Sequence, residues 1–405
     1  MTPNNIPHGY KATALGIIPQ EWEVSSLDYF GDIYSGGTPD TEVAEYWNGD
    51  IAWCTPSDIT KLDTKYIEST EVKITAKGLK ESSATLLPPR SIVVCTRATI
   101  GSAAICNTEI ATNQGFKNII TNETANPEWL YYNIIYSKPR LVRLGCGSTF
   151  LEVSKKDFSR FKIVAPLLEE QRKIAEVLGV WDEAIEKQAR LIEKLALRKR
   201  GLMQRLLSAK LRLPGFSEPW KIHKLQELFT ERNETNRTDL PLLSITGDRG
   251  VILKTESEKR DTSNDDKSKY KRIAKGDIGY NTMRMWQGRS ALSGLEGIVS
   301  PAYTIVVPNT DVDGYYMSVL FKQPRLIYDF WTHSQGLVGD TLNCKYRDFG
   351  QVHIYCPPLA EQKAITEVLT AADREIELAK EKLERLRRQK HGLMQQLLTG
   401  KKRVK

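Results

Sequence analysis

Nowhere in these 405 residues does an apolar run reach the length a membrane-spanning helix needs, roughly 18 residues. The opening stretch, MTPNNIPHGYKATALG, has no basic segment leading into an apolar one, so it does not read as a secretory signal, and a cytoplasmic protein is expected. Cysteine is sparse. Cys54, Cys95, Cys106, Cys146, Cys344 and Cys356 stand far apart with no C-x-x-C pair, which excludes a zinc ribbon and predicts reduced, mostly buried thiols. The five histidines, His8, His223, His333, His353 and His391, show no ligand-like or triad-like clustering. There is no G-x-x-x-x-G-K-[ST] loop and no G-x-G-x-x-G between a strand and a helix, so no nucleotide site is expected. These absences predict no catalytic site, no metal and no cofactor held by this chain.

What is present is a soluble-protein composition, 40% hydrophobic and 27% charged, with a net charge of +8. The length favours two domains over one core. The basic surplus suits a polyanionic partner, although charge alone is a weak signal. The tail KKRVK (401–405) is read as a solvated, frayed end.

The dominant feature is repetition. EEQRKIAEVLGVWDEAI (169–185) has a near-copy in AEQKAITEVLTAADREI (360–376), and the register holds without a gap to GLMQRLL (201–207) and GLMQQLL (392–398). The offset is 191 residues, from Gln171 to Gln362. Upstream, GSTFLEVSKKDFSRFKIVAPLLEEQ (147–171) parallels VGDTLNCKYRDFGQVHIYCPPLAEQ (338–362), and Trp22 and Leu27 parallel Trp220 and Leu225. Between these lie LPPRSIVVCTRATIGSAAI (87–105) and IAKGDIGYNTMRMWQGRSAL (273–292), each a β-rich run ending in a Thr- and Arg-bearing loop. The order globule, helix, globule, helix is a two-fold internal duplication.

In the helical segments, Trp181, Ile185, Gln188, Ile192, Leu195, Lys199, Leu202 and Leu206 follow 4-3 spacing. Ala372, Ile376, Ala379, Leu383, Leu386, Lys390, Leu393 and Leu397 repeat it, which marks a coiled-coil seam. The seam lysines either fix register or snorkel near a frayed end; snorkelling is the expectation. About 40 residues give a helix of roughly 60 Å. Antiparallel pairing is expected, with the globules at opposite ends. The globules are strand-rich (SIVVCT, AYTIVV, FKIVAP, QVHIYC), with shorter helices at 127–137 and 314–324 and a long exposed loop at 255–273. The fold class is therefore α+β: two strand-rich α/β domains, two long antiparallel coiled-coil helices, and a pseudo-two-fold repeat.

This ordered set resembles the specificity subunit of type I restriction–modification systems over almost the whole chain. The residues that carry it are the twin helix starts Pro166–Gln171 and Pro358–Gln362, the GLMQ-x-LL ends, TRATIG with TNQGF, and YNTMRMWQG with VSPAY. The first helix start reads as one residue longer than the second. The resemblance implies target-recognition domains at 1–165 and 212–356, spacer helices at 166–211 and 357–405, and a non-catalytic subunit reading a bipartite double-stranded DNA target. It further implies two DNA methyltransferase (modification) subunits and restriction–translocase subunits as partners. S-adenosylmethionine, ATP and Mg would sit on those partners, and no membrane is involved. NPEW (126–129) lacks the second proline of the adenine methyltransferase motif and is read as a helix cap.

Direct readout of DNA uses Arg, Lys, Asn and Gln on loops, with Ser, Thr and backbone N–H serving phosphates. In the first domain the candidates are Arg97, Thr99, Ser102, Asn113, Gln114, Lys117, Lys155 and Lys156. In the second they are Asn281, Thr282, Arg284, Gln287, Arg289, Ser300, Lys345, Tyr346 and Arg347. Each has a structural alternative: Arg97 as an ion-pair partner, Asn113 and Gln114 as turn caps, Trp286 as core. Lys345 and Arg347, in a basic loop, suit phosphate better than bases, and Phe116 and Tyr303 are read as core. Val177, Leu178, Val368 and Leu369 face outward beside the seam and are expected to meet helices of the methyltransferase subunits. A protein scaffold without DNA, and a nuclease acting alone, are the competing readings.

Overall fold

The apolar runs bounded by glycine and proline form the expected strands, and in the computed structural model these assemble into two compact units. The structure describes residues 6–145, 151–247, 249–257, 265–336 and 341–404. Cys146, GSTF (147–150), residues 258–264 of the 255–273 loop and VGD (338–340) lie outside them. The first unit is Met1–Leu191 with Ala379–Lys405, and the second is Ile192–Leu378. Each unit therefore takes part of each long helix, a division that cuts across the globule–helix alternation of the sequence. No described helix is long and apolar enough to cross a membrane.

In the first unit a five-stranded sheet runs in the order Gly31–Ser35, Phe116–Thr121, Ile92–Cys95, Ala103–Cys106, Tyr66–Ile67. All pairs are antiparallel except the last. Every residue of Ile92–Cys95 and Ala103–Cys106 is buried, so these runs show no polar alternation. In the second unit the sheet Phe229–Glu231, Tyr303–Pro308, Ile278–Asn281, Ser290–Leu292 repeats the order of the first four strands. Helices Pro127–Tyr136 and Gly314–Leu320 occupy the expected stretches. They are capped by the Asn126 and Asp313 carboxamide and carboxylate oxygens, which accept from Trp129 N at 2.9 Å and Tyr316 N at 2.8 Å. NPEW is thus a helix start. Cys54, Cys95, Cys106, Cys344 and Cys356 are free and buried, and burial pushes the Cys95 thiol up to about 11.

The long helices are Leu168–Leu206 and Leu359–Leu398, 39 and 40 residues. Their starts coincide under the 191-residue offset. Gln171 Nε2 donates to Pro166 O at 3.1 Å, and Gln362 Nε2 donates to Pro357 O at 2.9 Å. Pro166 is therefore the counterpart of Pro357, and the extra residue expected at the first start does not exist. The same glutamines accept from Asn126 N and Asp313 N, both at 2.9 Å, tying each long helix to the cap of the shorter one.

The adjacent glutamates are equally matched. Glu170 accepts from Trp22 Nε1 at 3.0 Å and from Arg403 Nε at 2.7 Å. Glu361 accepts from Trp220 Nε1 at 3.1 Å and from Arg212 Nε at 2.6 Å. The segment after each helix end thus docks on the start of the other helix. This overturns the frayed-end reading of the tail: Arg403 also pairs with Glu21 at 2.8 Å, and Val404 packs on the core. A buried carboxylate aimed at two donors outweighs the end's conformational freedom.

Antiparallel pairing holds inside each unit. In the first, the core joins Ile174 and Leu178 to Met394, Leu397 and Leu398. In the second it joins Leu206 and Leu207 to Ile365 and Leu369. Gln188 is buried in the seam and donates to Ala379 O at 3.0 Å. The seam lysines do not snorkel to solvent. Lys390 pairs with Asp182 in the first unit and Lys199 with Asp373 in the second, the same contact written twice. Tyr132 and Tyr315 hydroxyls donate to those aspartates, and burial first, the carboxylate second, pushes the Tyr132 phenol upward. The Lys390–Asp182 pair is largely buried and fixes register, because a slip would strand both charges; in the second unit Asp373 is more exposed.

The expected partner contacts need correction too. Leu178 and Leu369 are fully buried in their own units, and Val177 and Val368 pack half-buried beside them. The sheet-bearing part of each unit covers that face of the helix start. The large apolar side chains left exposed on the long helices are Val180, Leu191, Leu197 and Leu378.

Candidate nucleic-acid interface

In both units the central hairpin of the main sheet ends in the loop that carries the candidate residues. In the first unit, residues 96–102 join Ile92–Cys95 to Ala103–Cys106. The loop turns tightly: Thr99 N donates to Arg97 O at 2.6 Å, Ser102 N to Thr99 O at 3.0 Å, and Gly101 N to Cys95 O at 2.8 Å. Ala98 sits at φ +56° and Gly101 at φ +81°. A Cβ on Gly101 would also lie 2.9 Å from Lys138 Cγ, so glycine is required there twice over.

Arg97 is both half-exposed and paired. Its Nε donates to Glu152 Oε2 at 2.9 Å, and Nη2 donates to the same oxygen. Lys117 approaches Glu152 Oε1 at 3.5 Å with its side chain 6% exposed. Burial alone would raise the Glu152 carboxyl, but Arg97 and Lys117 hold it below the usual carboxylate range. Lys117 cannot face a ligand from inside the strand, so its assignment to DNA is corrected: Phe116–Ile119 is buried on both faces, and Glu152 neutralises the lysine there. Asn113 Oδ1 accepts from Gly115 N at 2.9 Å and closes the turn, while exposed Gln114 accepts from Thr38 Oγ1. Half-buried Thr99 and Ser102 stay on the loop, and Ser102 Oγ accepts from Lys138 Nζ at 3.1 Å. Lys138 lines the same cleft as Arg97 and Thr99 and was not singled out in the sequence. Exposed Lys155 and Lys156 open a short helix capped by Ser154.

In the second unit, residues 282–289 join Ile278–Asn281 to Ser290–Leu292. Asn281 Oδ1 accepts from Met283 N at 3.0 Å, Thr282 Oγ1 meets Thr304 Oγ1 at 2.9 Å, and a 3-10 turn Met285–Gln287 ends at Gly288, φ +70°. Asn281, Arg284 and Arg289 meet Thr246, Gly247 and Tyr303 around a cavity of about 310 Å³. Among the described residues, no carboxylate lies within ion-pair reach of Arg284 or Arg289, whereas Arg232, Arg237 and Arg272 each hold one. Thr246 and Gly247 escaped the sequence reading; the only signal was the turn-like TGDRG (246–250). Gly247 leaves the room: a Cβ there would meet Arg289 Nη1 at 3.0 Å.

The remaining candidates scatter. Gln287 is exposed, Ser300 is half-buried with its Oγ accepting from Ala302 N at 3.4 Å, and Lys345 and Arg347 are exposed. Lys345 and Arg347 begin the helix Tyr346–Gln351, not a loop. Tyr346 donates from its hydroxyl to Phe229 O at 2.7 Å, which makes it a strut between elements of the unit. Phe116 is core, Trp286 is half-buried with Nε1 donating to Met283 O at 3.0 Å, and Tyr303 reaches the cavity wall. Among the described residues no cluster of three His, Cys, Asp or Glu side chains suits a metal ion.

Residues 19–196 match the type I restriction modification DNA specificity domain. The chain is 40% identical over 194 residues to the type I restriction enzyme MjaIX specificity subunit of Methanocaldococcus jannaschii, covering 46% of this chain and 45% of that one. It thus spans less than half the length of that relative. The MjaVIII specificity subunit of the same organism is 25% identical over 96% of this chain and 94% of its own. A chain from a structure of complex assembly and conformational transition of the type I R-M system superposes with a TM-score of 0.62 at 18% identity, covering 95% of this chain and 99% of that one, a likeness of fold. Each strand-rich unit presents an arginine from the hairpin loop of its main sheet, Arg97 in the first and Arg284 in the second. Over residues 19–196 the chain is similar to type I restriction–modification specificity subunits.

Proposed function

We propose that this chain is the specificity subunit of a type I restriction–modification complex, reading a bipartite double-stranded DNA target with one unit per half-site. The observation that supports it most is the repetition of one hairpin loop on one sheet, with Arg97 in the first copy and Arg284 in the second. Residues 1–165 and 212–356 are the readers, and 166–211 and 357–405 the spacer helices. The chain is not itself an enzyme. Chemistry belongs to two methyltransferase subunits and to restriction–translocase subunits in the cytoplasm, where S-adenosylmethionine, ATP and Mg are held. Val180, Leu191, Leu197 and Leu378 are the apolar helix residues offered to those partners. Arg284, Arg289 and Asn281 suit base edges; the exposed Lys155, Lys156, Lys345 and Arg347 suit phosphates.

Titration of duplex DNA at several salt concentrations tests this. Lys155→Ala and Lys345→Ala each weaken binding to all sequences and reduce the slope of log K against log salt by about one. A chain that binds no duplex even at low salt, yet still assembles with protein partners, is a scaffold and contradicts the proposal.

A further inference from the structure

We infer that Glu152 is a positioning residue that aims Arg97 at a guanine in the first half-site, an inference that rests on the DNA-recognition reading above. The ion pair and the base contact look like alternatives for Arg97, but the geometry makes them compatible. A guanidinium carries five N–H donors in a fixed fork. Glu152 takes the side edge only, Nε–H and one Nη2–H, both on Oε2. The end edge, formed by Nη1 and the outer hydrogen of Nη2, meets no hydrogen-bond partner among the described residues. Guanine offers two acceptors, N7 and O6, in the major groove, and an end-on arginine meets both.

The surroundings hold the carboxylate still. Lys117 approaches its other oxygen at 3.5 Å from the buried side. Residues 97 and 152 form an antiparallel bridge, and Val153 N donates to Thr96 O at 3.0 Å, so the two backbones are locked beside each other. Exposure of the side chains rises outward along the row, from 6% at Lys117 to 31% at Glu152 and 43% at Arg97. The arginine is thus pinned at its base and open at its tip, and little rotamer freedom remains to be lost on binding. A purely electrostatic contact to phosphate would gain nothing from an acid there, since a carboxylate repels the DNA backbone. Its presence sacrifices general affinity and adds direction, which is how specificity is raised by a repulsive element.

The two roles differ in sign. Selection from a randomised duplex pool by the full chain, followed by titration of selected and scrambled duplexes, reads both. The wild type is expected to fix a G·C pair in one half-site. Arg97→Lys, which keeps the charge and loses the fork, reduces preference at that pair about fivefold to a hundredfold. Glu152→Gln loosens the same pair, leaves the other half-site unchanged, and binds scrambled duplex as well as the wild type or better. If Glu152→Gln fails to fold, by circular dichroism and thermal unfolding, Glu152→Asp keeps the charge but withdraws it by one methylene, and must loosen the same pair. The inference is overturned if the Glu152 variants leave every base preference intact, weaken all duplexes equally, or loosen a different pair from Arg97→Lys. A wild-type chain that selects no sequence overturns the DNA reading itself, and this inference with it.

Discussion

Glu361→Ala lowers the stability of the second unit by about 3–5 kcal/mol, the cost of breaking a buried ion pair from one side. The Glu361 side chain is 1% exposed and accepts three bonds, from Arg212 Nε at 2.6 Å, Arg212 Nη2 at 2.8 Å and Trp220 Nε1 at 3.1 Å. Alanine leaves the indole N–H without an acceptor and the guanidinium without its charge partner. Arg212 is 28% exposed and recovers part of the loss by turning to water; Trp220, 5% exposed, does not. The segment 207–216 is then released from the helix start. A chain with two units does not unfold in one step, so the measurement is hydrogen exchange of peptides around Trp220 and Glu361, where protection reads the local loss. Protection reduced by less than tenfold would contradict the account. Glu170→Ala in the first unit follows the same logic with a smaller loss, because its side chain is 10% exposed.

Arg284→Ala combined with Arg289→Ala abolishes discrimination in the second half-site and leaves the first intact. Each bidentate arginine–guanine contact is worth about 1–3 kcal/mol of discrimination. The two side chains share one cavity with Asn281, so their effects are not additive. No carboxylate among the described residues offsets either charge, unlike Arg97 with Glu152, so the two units present their arginines differently. The check compares cognate duplex with duplexes altered in one half. Equal loss on cognate and scrambled DNA would mean that these arginines meet phosphates.

The repeat, the helix lengths, the antiparallel seam and the main strands were legible because each leaves a periodic or duplicated trace. The helix starts were recognisable as a motif, but their reason was not. Glu170 and Gln171 act on Trp22, Arg403 and Asn126, partners 148, 233 and 45 residues away, which no local pattern reveals. The tail failed for the same reason: KKRVK looks like solvated charge until Glu170 is placed beside Arg403. Lys117 failed because a lysine in a strand gives no sign of which face it takes; its burial is matched by Glu152, 35 residues away in sequence. Lys138, Thr246 and Gly247 were missed because they reach the loops from other elements. Asn281, Arg284 and Arg289 could be named together because loop position and residue type mark them, and they line one cavity.

The central claim is that each unit reads its own half of a split DNA site. Replacing residues 215–345 with the matching segment of a relative, and determining the sequence selected from a random duplex pool, tests it most directly. The account predicts one altered half-site, with the other half and the spacing between them unchanged. A swap that changes both halves, or yields a single continuous site, would contradict it.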